Sequence, residues 1–600
     1  MIYRDDIDGL RALAVISVVL FHLGYIANGY LGVDIFFVIS GYLITGIIYR
    51  QSVNKKFSLL NFYERRIRRI IPLVLFTTLI AFILGILFML PDDLENLSQT
   101  VFASNFSANN ILMYITSADY WAVKNDFKPL MHTWSLGIEE QFYLLYPLLF
   151  FFLKGDKIKY LLPSIIFLTL LSYVAFTIQE SDSAKFYFIQ YRFFELSIGG
   201  MAAIYFSPKK LNYKSIKNKY LLFILIVLLF CSLFLPIELS NDIKILLVTI
   251  LTTGILVLGG VYSKTNKIYK WLFSNTIVSF IGKISFSIYM WHQIVLAFYR
   301  YLFGEEISIY ITVLLLLIIF LLSVSSYFLI ENTFRDKKRW KTKNVLIFIA
   351  SFFILITSTS FYVYTLGGVV RDVPELNIKF SKTPDFTNLF SSTNGPNIRY
   401  NENVRSLDVS FSPTTNQKIL VVGNSFGRDF VNVLLESDFV NDIEIRYFPN
   451  DRVFKDPEFK KRVEIADLIF FTNGVKQSYI QEIESHYKIQ IYDKLQIVGI
   501  KDYGYSNGEH YFKIRNSSID LNSYRGKMKK GIFQTNNNLK TEWGEKYIDL
   551  IGLVSDSNGE VLVFTPQGKF ISQDTVHFTK EGAVFFSNLL NARLKRLIKL

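Results

Sequence analysis

Arg11 and His22 stand eleven positions apart inside one apolar run, Leu10 to Ala27. In a helix, eleven steps of about 100° return to within roughly 20° of the start and about 16 Å further along, so the two side chains share a face. A guanidinium and an imidazole at that depth are costly unless they face a protein interior or a water-filled path, which marks them for anion binding and proton transfer. Snorkelling to the headgroups accounts for Arg11 alone better than for the pair. A second set lies far along the chain. Gly423-Asn424-Ser425-Phe426-Gly427 follows a strand pattern and opens a helical one, while Asp574-Thr-Val-His577 precedes the last helical pattern. A serine at a strand-to-helix turn is presented at the C-terminal edge of a sheet, beside helix N-terminal amides. An Asp-x-x-His can orient an imidazole that takes the serine proton. Thr472-Asn473-Gly474 ends another strand pattern, and Asn473 offers a side-chain amide to an oxyanion, although Asn-Gly is also an ordinary turn.

These residues need two kinds of scaffold. Of the 600 residues 51% are hydrophobic and only 19% charged, which excludes a wholly soluble protein, and the apolar mass lies before residue 367. Eleven runs of near-bilayer length are expected at 10–27, 31–49, 73–90, 137–153, 160–177, 189–206, 220–236, 243–261, 284–301, 308–330 and 345–366. The first is read as a retained span rather than a cleaved signal, because it holds Arg11, follows Asp5, Asp6 and Asp8, and ends at no small-residue cleavage site. Alternate loops carry runs of Lys and Arg (50–69, 154–159, 209–219, 264–270 and 335–343), which predicts a cytoplasmic N-terminus. An odd number of spans then places everything after residue 366 outside. The net charge of +14 belongs largely to those loops, and no nucleic-acid module is visible. Cys231, the one cysteine, falls in an apolar run, so the distal part has no disulfide and no thiol metal site. No metal is expected.

Residues 336–417 read as the eleventh span and a polar linker, separating a membrane domain at 1–335 from an α/β domain at 418–600. Strands are expected at Lys418 to Val422, Ile443 to Tyr447, Leu468 to Phe471, Leu495 to Gly499 and Val561 to Phe564, with helices between most of them. That order implies a parallel sheet covered on both faces. Lys501 to Thr541 fits neither pattern and reads as an insertion, whose Tyr503, Tyr505 and His510 are weak candidates for an acceptor site.

Several motifs of the first half recur in a known order: Gly32-Val-Asp34 to Ser40-Gly41, Tyr63-Glu-Arg65-Arg66-Ile-Arg68-Arg69, His132-Thr-Trp134-Ser135 with Glu139, Arg192 with Glu195, Ser285-Phe-Ser287 to Trp291-His292, and Glu331 to Arg335. Together, over residues 5 to 335, they closely resemble the acyltransferase 3 family of multi-spanning bacterial membrane acyltransferases. Arg11 with His22 matches that family's hallmark, and Arg66 with Arg69 its second arginine motif. Three apart on a helix, Arg66 and Arg69 can present two guanidinium forks to phosphates, which suits acetyl-CoA on the cytoplasmic side. Arg65 and Arg68 are equally well explained as a positive-inside anchor. Asp34 falls at the depth of His22 and is expected to orient it. Glu139 and His132 are expected at the outer mouth, where a buried carboxylate can accept a hydroxyl proton. Arg192 and Glu195 read as a mutual pair, Trp291 and His292 as packing, and Glu331 with Arg335 as an inner-edge ion pair.

The distal part resembles an SGNH (GDSL-like) hydrolase domain, with a three-layer, flavodoxin-like fold. Ser425, Asp574 and His577 match its triad and Asn473 its asparagine, while the usual Gly-Asp-Ser reads Gly-Asn-Ser. The joint resemblance implies a bacterial inner-membrane enzyme that uses acetyl-CoA as donor. Its acceptor is expected to be the hydroxyls of a surface polysaccharide or lipid-linked glycan, foremost lipopolysaccharide O-antigen, with capsule, exopolysaccharide or peptidoglycan as alternatives. An exporter of a small acylated molecule and a membrane-tethered esterase are the rival classes.

Overall fold

The computed structural model describes all residues except 1–2, 118–124, 207–218, 263–265, 382, 384–394, 502–506, 516–518, 529–530, 573, 575 and 600. Each of the eleven expected spans falls on a helix: α1 Asp5–His22, α2 Gly32–Val53, α3 Leu59–Phe88, α4 Thr133–Phe152, α5 Leu161–Ile178, α6 Ile189–Tyr205, α7 Lys219–Phe234, α8 Asn241–Tyr262, α9 Ser285–Phe303, α10 Ile309–Ser326 and α11 Thr342–Thr365. Six of these regions, those of α2, α3, α5, α8, α10 and α11, are long and apolar enough to cross a membrane, and α7 is a shorter apolar helix. The four that fall short, α1, α4, α6 and α9, carry Arg11, Glu139, Arg192 and His292. Polar side chains dilute their apolarity, and those side chains are turned inward.

The chain divides into two compact units. One comprises Met1–Leu84, Gln99–Phe298 and Ile307–Phe361; the other comprises Gly85–Ser98, Tyr299–Glu306 and Tyr362–Leu600. In the first unit α2 and α6 pack closely, because Gly41 lies against the Leu196 carbonyl and Gly199 against that of Val38, where a Cβ would collide with backbone. That approach brings Asp34 of α2 beside Arg192 of α6.

The second unit is built on five parallel strands, β1 Gln417–Gly423, β2 Ile443–Pro449, β3 Leu468–Phe471, β4 Leu495–Val498 and β6 Tyr547–Ile548, in the order β2-β1-β3-β4-β6. Side chains alternate across the sheet: Ile419 and Val421 join a core with Phe430, Phe578 and Phe586, and Leu420 and Val422 join another with Phe459, Ile483 and Trp543. Both faces are covered, as expected for a parallel sheet. The fifth strand is not the expected one. Val561 belongs to β7 Glu560–Leu562, which pairs antiparallel with β5 Arg525–Lys527 in a separate two-stranded sheet, and the parallel sheet is completed by the two residues of β6. The segment expected as an irregular insertion contains β5 and the helices Asn507–Arg515 and Ile532–Trp543.

Candidate active sites

In the first unit Arg11, Arg66, Arg69, Ser40, Glu139 and Tyr143 line one cavity of about 250 Å³. The i, i+3 spacing of Arg66 and Arg69 on α3 turns both guanidinium groups into it. Arg66 lies over the rings of Phe62 and Tyr143 at 5.6 and 5.8 Å, and its buried Nε has no hydrogen-bond partner among the described residues. An unpaired donor in a cavity holding three guanidinium groups fits an anionic ligand such as a phosphate. Glu139 faces the same cavity, where its carboxylate accepts from Ser40 Oγ at 3.0 Å and Tyr143 Oη at 2.9 Å. It therefore belongs with the arginines, not to a separate outer mouth. Arg68 points elsewhere. Only 2% exposed, it is held by Glu64, the carbonyls of Phe334 and Trp340, and Thr342. It is a buried clamp, not a surface anchor.

Three histidines meet in this unit. The His22 and His292 rings are 5.3 Å apart and those of His132 and His292 5.1 Å. His292 Nδ1 lies 2.6 Å from the Tyr289 carbonyl, which can only accept, so Nδ1 carries the proton and Nε2 the lone pair. Among the described residues no hydrogen bond ties Asp34 to His22. Asp34 accepts from Arg192 at 2.8 Å, and the same nitrogen of Arg192 reaches Glu195 at 2.7 Å, so the expected two-residue pair is a buried trio. Glu331 takes its hydrogen bond from Ser287 Oγ at 2.5 Å, and no ion pair with Arg335 exists among the described residues.

In the second unit the strand-to-helix turn after β1 presents Ser425 as the first residue of α12 Ser425–Leu435. Asn424 is the N-cap, its side chain accepting from the Phe426 amide at 3.0 Å, which gives the departure from Gly-Asp-Ser a local role. The turn sits where β1 is flanked by β2 on one side and β3 on the other, the switch point at which parallel α/β sheets bind ligands. His577 Nε2 is 3.0 Å from Ser425 Oγ, and His577 Nδ1 is hydrogen-bonded to Asp574 Oδ2. Because Nδ1–H donates to the carboxylate, Nε2 is the acceptor facing the serine. Asp574 Oδ1 accepts from the backbone amides of Val576 at 2.7 Å and His577 at 2.6 Å, an Asx-type turn that fixes the loop. Burial raises the Asp574 pKa, but the His577 imidazole and those two amides outweigh it and hold the carboxyl below its usual range.

Asn473 follows β3 in the left-handed region (φ 68°), exposed, with no hydrogen bond among the described residues. The structure does not tie it to Ser425. His510 is buried, with Nδ1 2.8 Å from Tyr524 Oη, and burial together with the nearby Lys513 pushes its pKa down to about 3, so it is a neutral core group. Tyr503 and Tyr505 lie outside the described residues.

A family model described as an acyltransferase domain matches residues 4–332, more than half of the chain. The chain belongs to the acyltransferase 3 family. Among curated proteins it is 30% identical over 391 residues to "Putative O-acetyltransferase SAR0937" of Staphylococcus aureus (strain MRSA252), covering 61% of this chain and 64% of that one. It is 30% identical over 352 residues to "O-acetyltransferase OatA" of Staphylococcus aureus (strain NCTC 8325 / PS 47), covering 56% of this chain and 58% of that one. The chain thus matches less than two thirds of the length of these relatives. No solved structure matches it.

The acyltransferase match contains the arginine cavity and the three histidines, whereas Ser425, Asp574 and His577 lie beyond it. Two features of the acyltransferase chain escaped sequence reasoning. His132 and His292 sit 160 positions apart, and only the helix packing reveals that they share one cluster with His22. Asn507 donates to the carbonyls of Ser572 and Asp574 at 2.5 Å each, bracing the loop that carries His577. No sequence signal distinguishes it from other polar residues of its segment.

Proposed function

We propose that this multi-pass membrane protein is an O-acetyltransferase that carries an acetyl group from cytoplasmic acetyl-CoA, across a bundle of about eleven spans, to hydroxyls of a bacterial surface polysaccharide. Arg11, Arg66 and Arg69 bind the donor phosphates, and His22 assists release of the acetyl group. The SGNH-like domain, outside the cytoplasmic membrane, receives that group. The group arrives bonded to a carrier, either CoA itself or an intermediate acylated by it. Ser425 Oγ attacks the acetyl carbonyl, and the C–S or C–O bond to that carrier breaks. His577 takes the serine proton and passes it to the departing thiolate or alkoxide, and an acetyl-serine remains. A sugar hydroxyl then attacks this ester while giving its proton to His577, which returns it to Ser425. Asp574 holds the imidazole throughout.

The observation that carries this reading is the 3.0 Å approach of His577 Nε2 to Ser425 Oγ, with the other imidazole nitrogen held by a carboxylate. The resemblance to O-acetyltransferases supports the acetyl group as cargo, and the three guanidinium groups in one cavity support a phosphate-bearing donor. The acceptor expected is lipopolysaccharide O-antigen, with peptidoglycan, capsule and exopolysaccharide as alternatives. Labelled acetyl-CoA is supplied to membranes holding the protein, and the label is sought in isolated glycan fractions by mass spectrometry. Label in a surface glycan that depends on both Ser425 and His22 is the expected result. Loss of acetyl groups from that glycan when the protein is present would instead make it an esterase.

A further inference from the structure

Lys501 lies just past β4, 1% exposed, and none of the roles above uses it. Its ammonium is bonded to the Asp429 carboxylate and to the carbonyl of Val576. It also sits over two rings, Phe426 at 4.9 Å and Phe578 at 4.2 Å. Phe426 follows Ser425, while Val576 and Phe578 flank His577. One cation therefore touches the residue after the nucleophile and both neighbours of the imidazole. Its partner is anchored to the nucleophile as well: Asp429, one turn further along α12, accepts from Asn401 Nδ2 at 2.5 Å, and Asn401 also donates to the Ser425 carbonyl at 3.1 Å.

A buried ammonium is expensive unless a carboxylate, further acceptors and polarisable faces surround it, and Lys501 has all three. A fold that needed only packing here could place an apolar side chain between Phe426 and Phe578. What the ammonium adds is direction, because its hydrogen bond to the Val576 carbonyl fixes the backbone immediately before His577 relative to the helix that begins at Ser425. We propose that Lys501, paired with Asp429, is a positioning residue that sets His577 against Ser425. It acts through Val576 and the two rings, so it is not a catalytic group. The inference rests on the serine reading given above.

The full-length protein in detergent is tested with a small activated acetyl ester, following turnover and its pH profile. Lys501→Met is expected to lower kcat by about 10²-fold, the cost of a misplaced reacting group, with KM within about twofold. It is also expected to move the acid limb of the pH profile, because the imidazole changes environment. Lys501→Arg, which keeps a cation able to reach both acceptors, is expected to recover most of the activity with the original profile. Should Lys501→Met melt below the assay temperature, Asp429→Asn replaces it, and the same loss of kcat and displaced limb are expected. Wild-type kcat and pH profile in the folded variant overturn the proposal when Ser425→Ala is inactive. Wild-type turnover by Ser425→Ala overturns the serine reading itself, independently of Lys501.

Discussion

His577 Nε2 stands 3.0 Å from Ser425 Oγ although the residues are 152 positions apart in the chain. The contact requires α12 and the loop before α13 Lys580–Ile598 to meet at one edge of the sheet, and the two helices pack through Phe430 and Phe586 in a shared core. Residues that act as one unit lose activity together. Ser425→Ala and His577→Ala are each expected to lower acetyl transfer by about 10⁴-fold, and the double variant to lower it little further. The check is acetyl content of the acceptor from matched amounts of each variant. Additive losses would mean that the two side chains work separately.

The His577 imidazole and two backbone amides hold the Asp574 carboxyl below its ordinary range. Its folded pKa lies below its ordinary value of 3.8, so the stability it contributes is complete above that value and is lost as pH falls through the lower folded one. Asp574→Asn lacks this dependence. Between about pH 5 and pH 3 the wild type is expected to lose more melting temperature than the variant, and an equal loss in both would contradict the assignment.

Much of this site was legible in the sequence because its signals are local. Gly423-Asn424-Ser425 joins a strand pattern to a helical one, and Asp574 to His577 spans four residues. The parallel sheet was legible for four strands, since β1 and β3 carry continuous apolar runs, β4 is apolar apart from Gln496, and β2 alternates apolar residues with Glu444 and Arg446. The fifth was not, because β6 has two residues and the more apolar run around Val561 pairs elsewhere. Helix-to-helix register was equally hidden. Arg192 with Glu195 looked like a local pair on one helix, and only the close approach of α2 and α6 adds Asp34. That step depends on Gly41 and Gly199, whose spacing says nothing about which carboxylate they deliver.

Arg66 and Arg68, two positions apart, are expected to fail in different ways. Arg66→Gln removes a guanidinium from the cavity and should weaken acetyl-CoA binding while leaving thermal stability close to wild type. Arg68→Gln takes the guanidinium donors from the carbonyls of Phe334 and Trp340 in a part-buried setting, at no more than about 1–3 kcal/mol for each group left unsatisfied, and should lower the melting temperature first. Melting curves with and without acetyl-CoA separate the two. Stabilisation by the ligand that survives Arg66→Gln unchanged would remove that residue from the donor site.

His292 is fully buried and packs as expected, its ring 5.3 Å from that of His22 and 5.1 Å from that of His132, and its Nδ1–H is held by the Tyr289 carbonyl. That bond fixes the tautomer and leaves the Nε2 lone pair as a hydrogen-bond acceptor, a more specific arrangement than packing requires. If His22 handles a proton as the acetyl group leaves its donor, a neighbouring imidazole of fixed tautomer is suited to exchange it. His292→Phe preserves ring volume and removes both nitrogens. Transfer from acetyl-CoA is expected to fall by roughly 10²-fold or more, the usual contribution of a positioned acid or base. Turnover of a soluble acetyl ester at Ser425 should stay near wild type, since that chemistry belongs to the other unit. Equal loss in both assays would point to a folding defect, and unimpaired transfer from acetyl-CoA would leave His292 with packing alone.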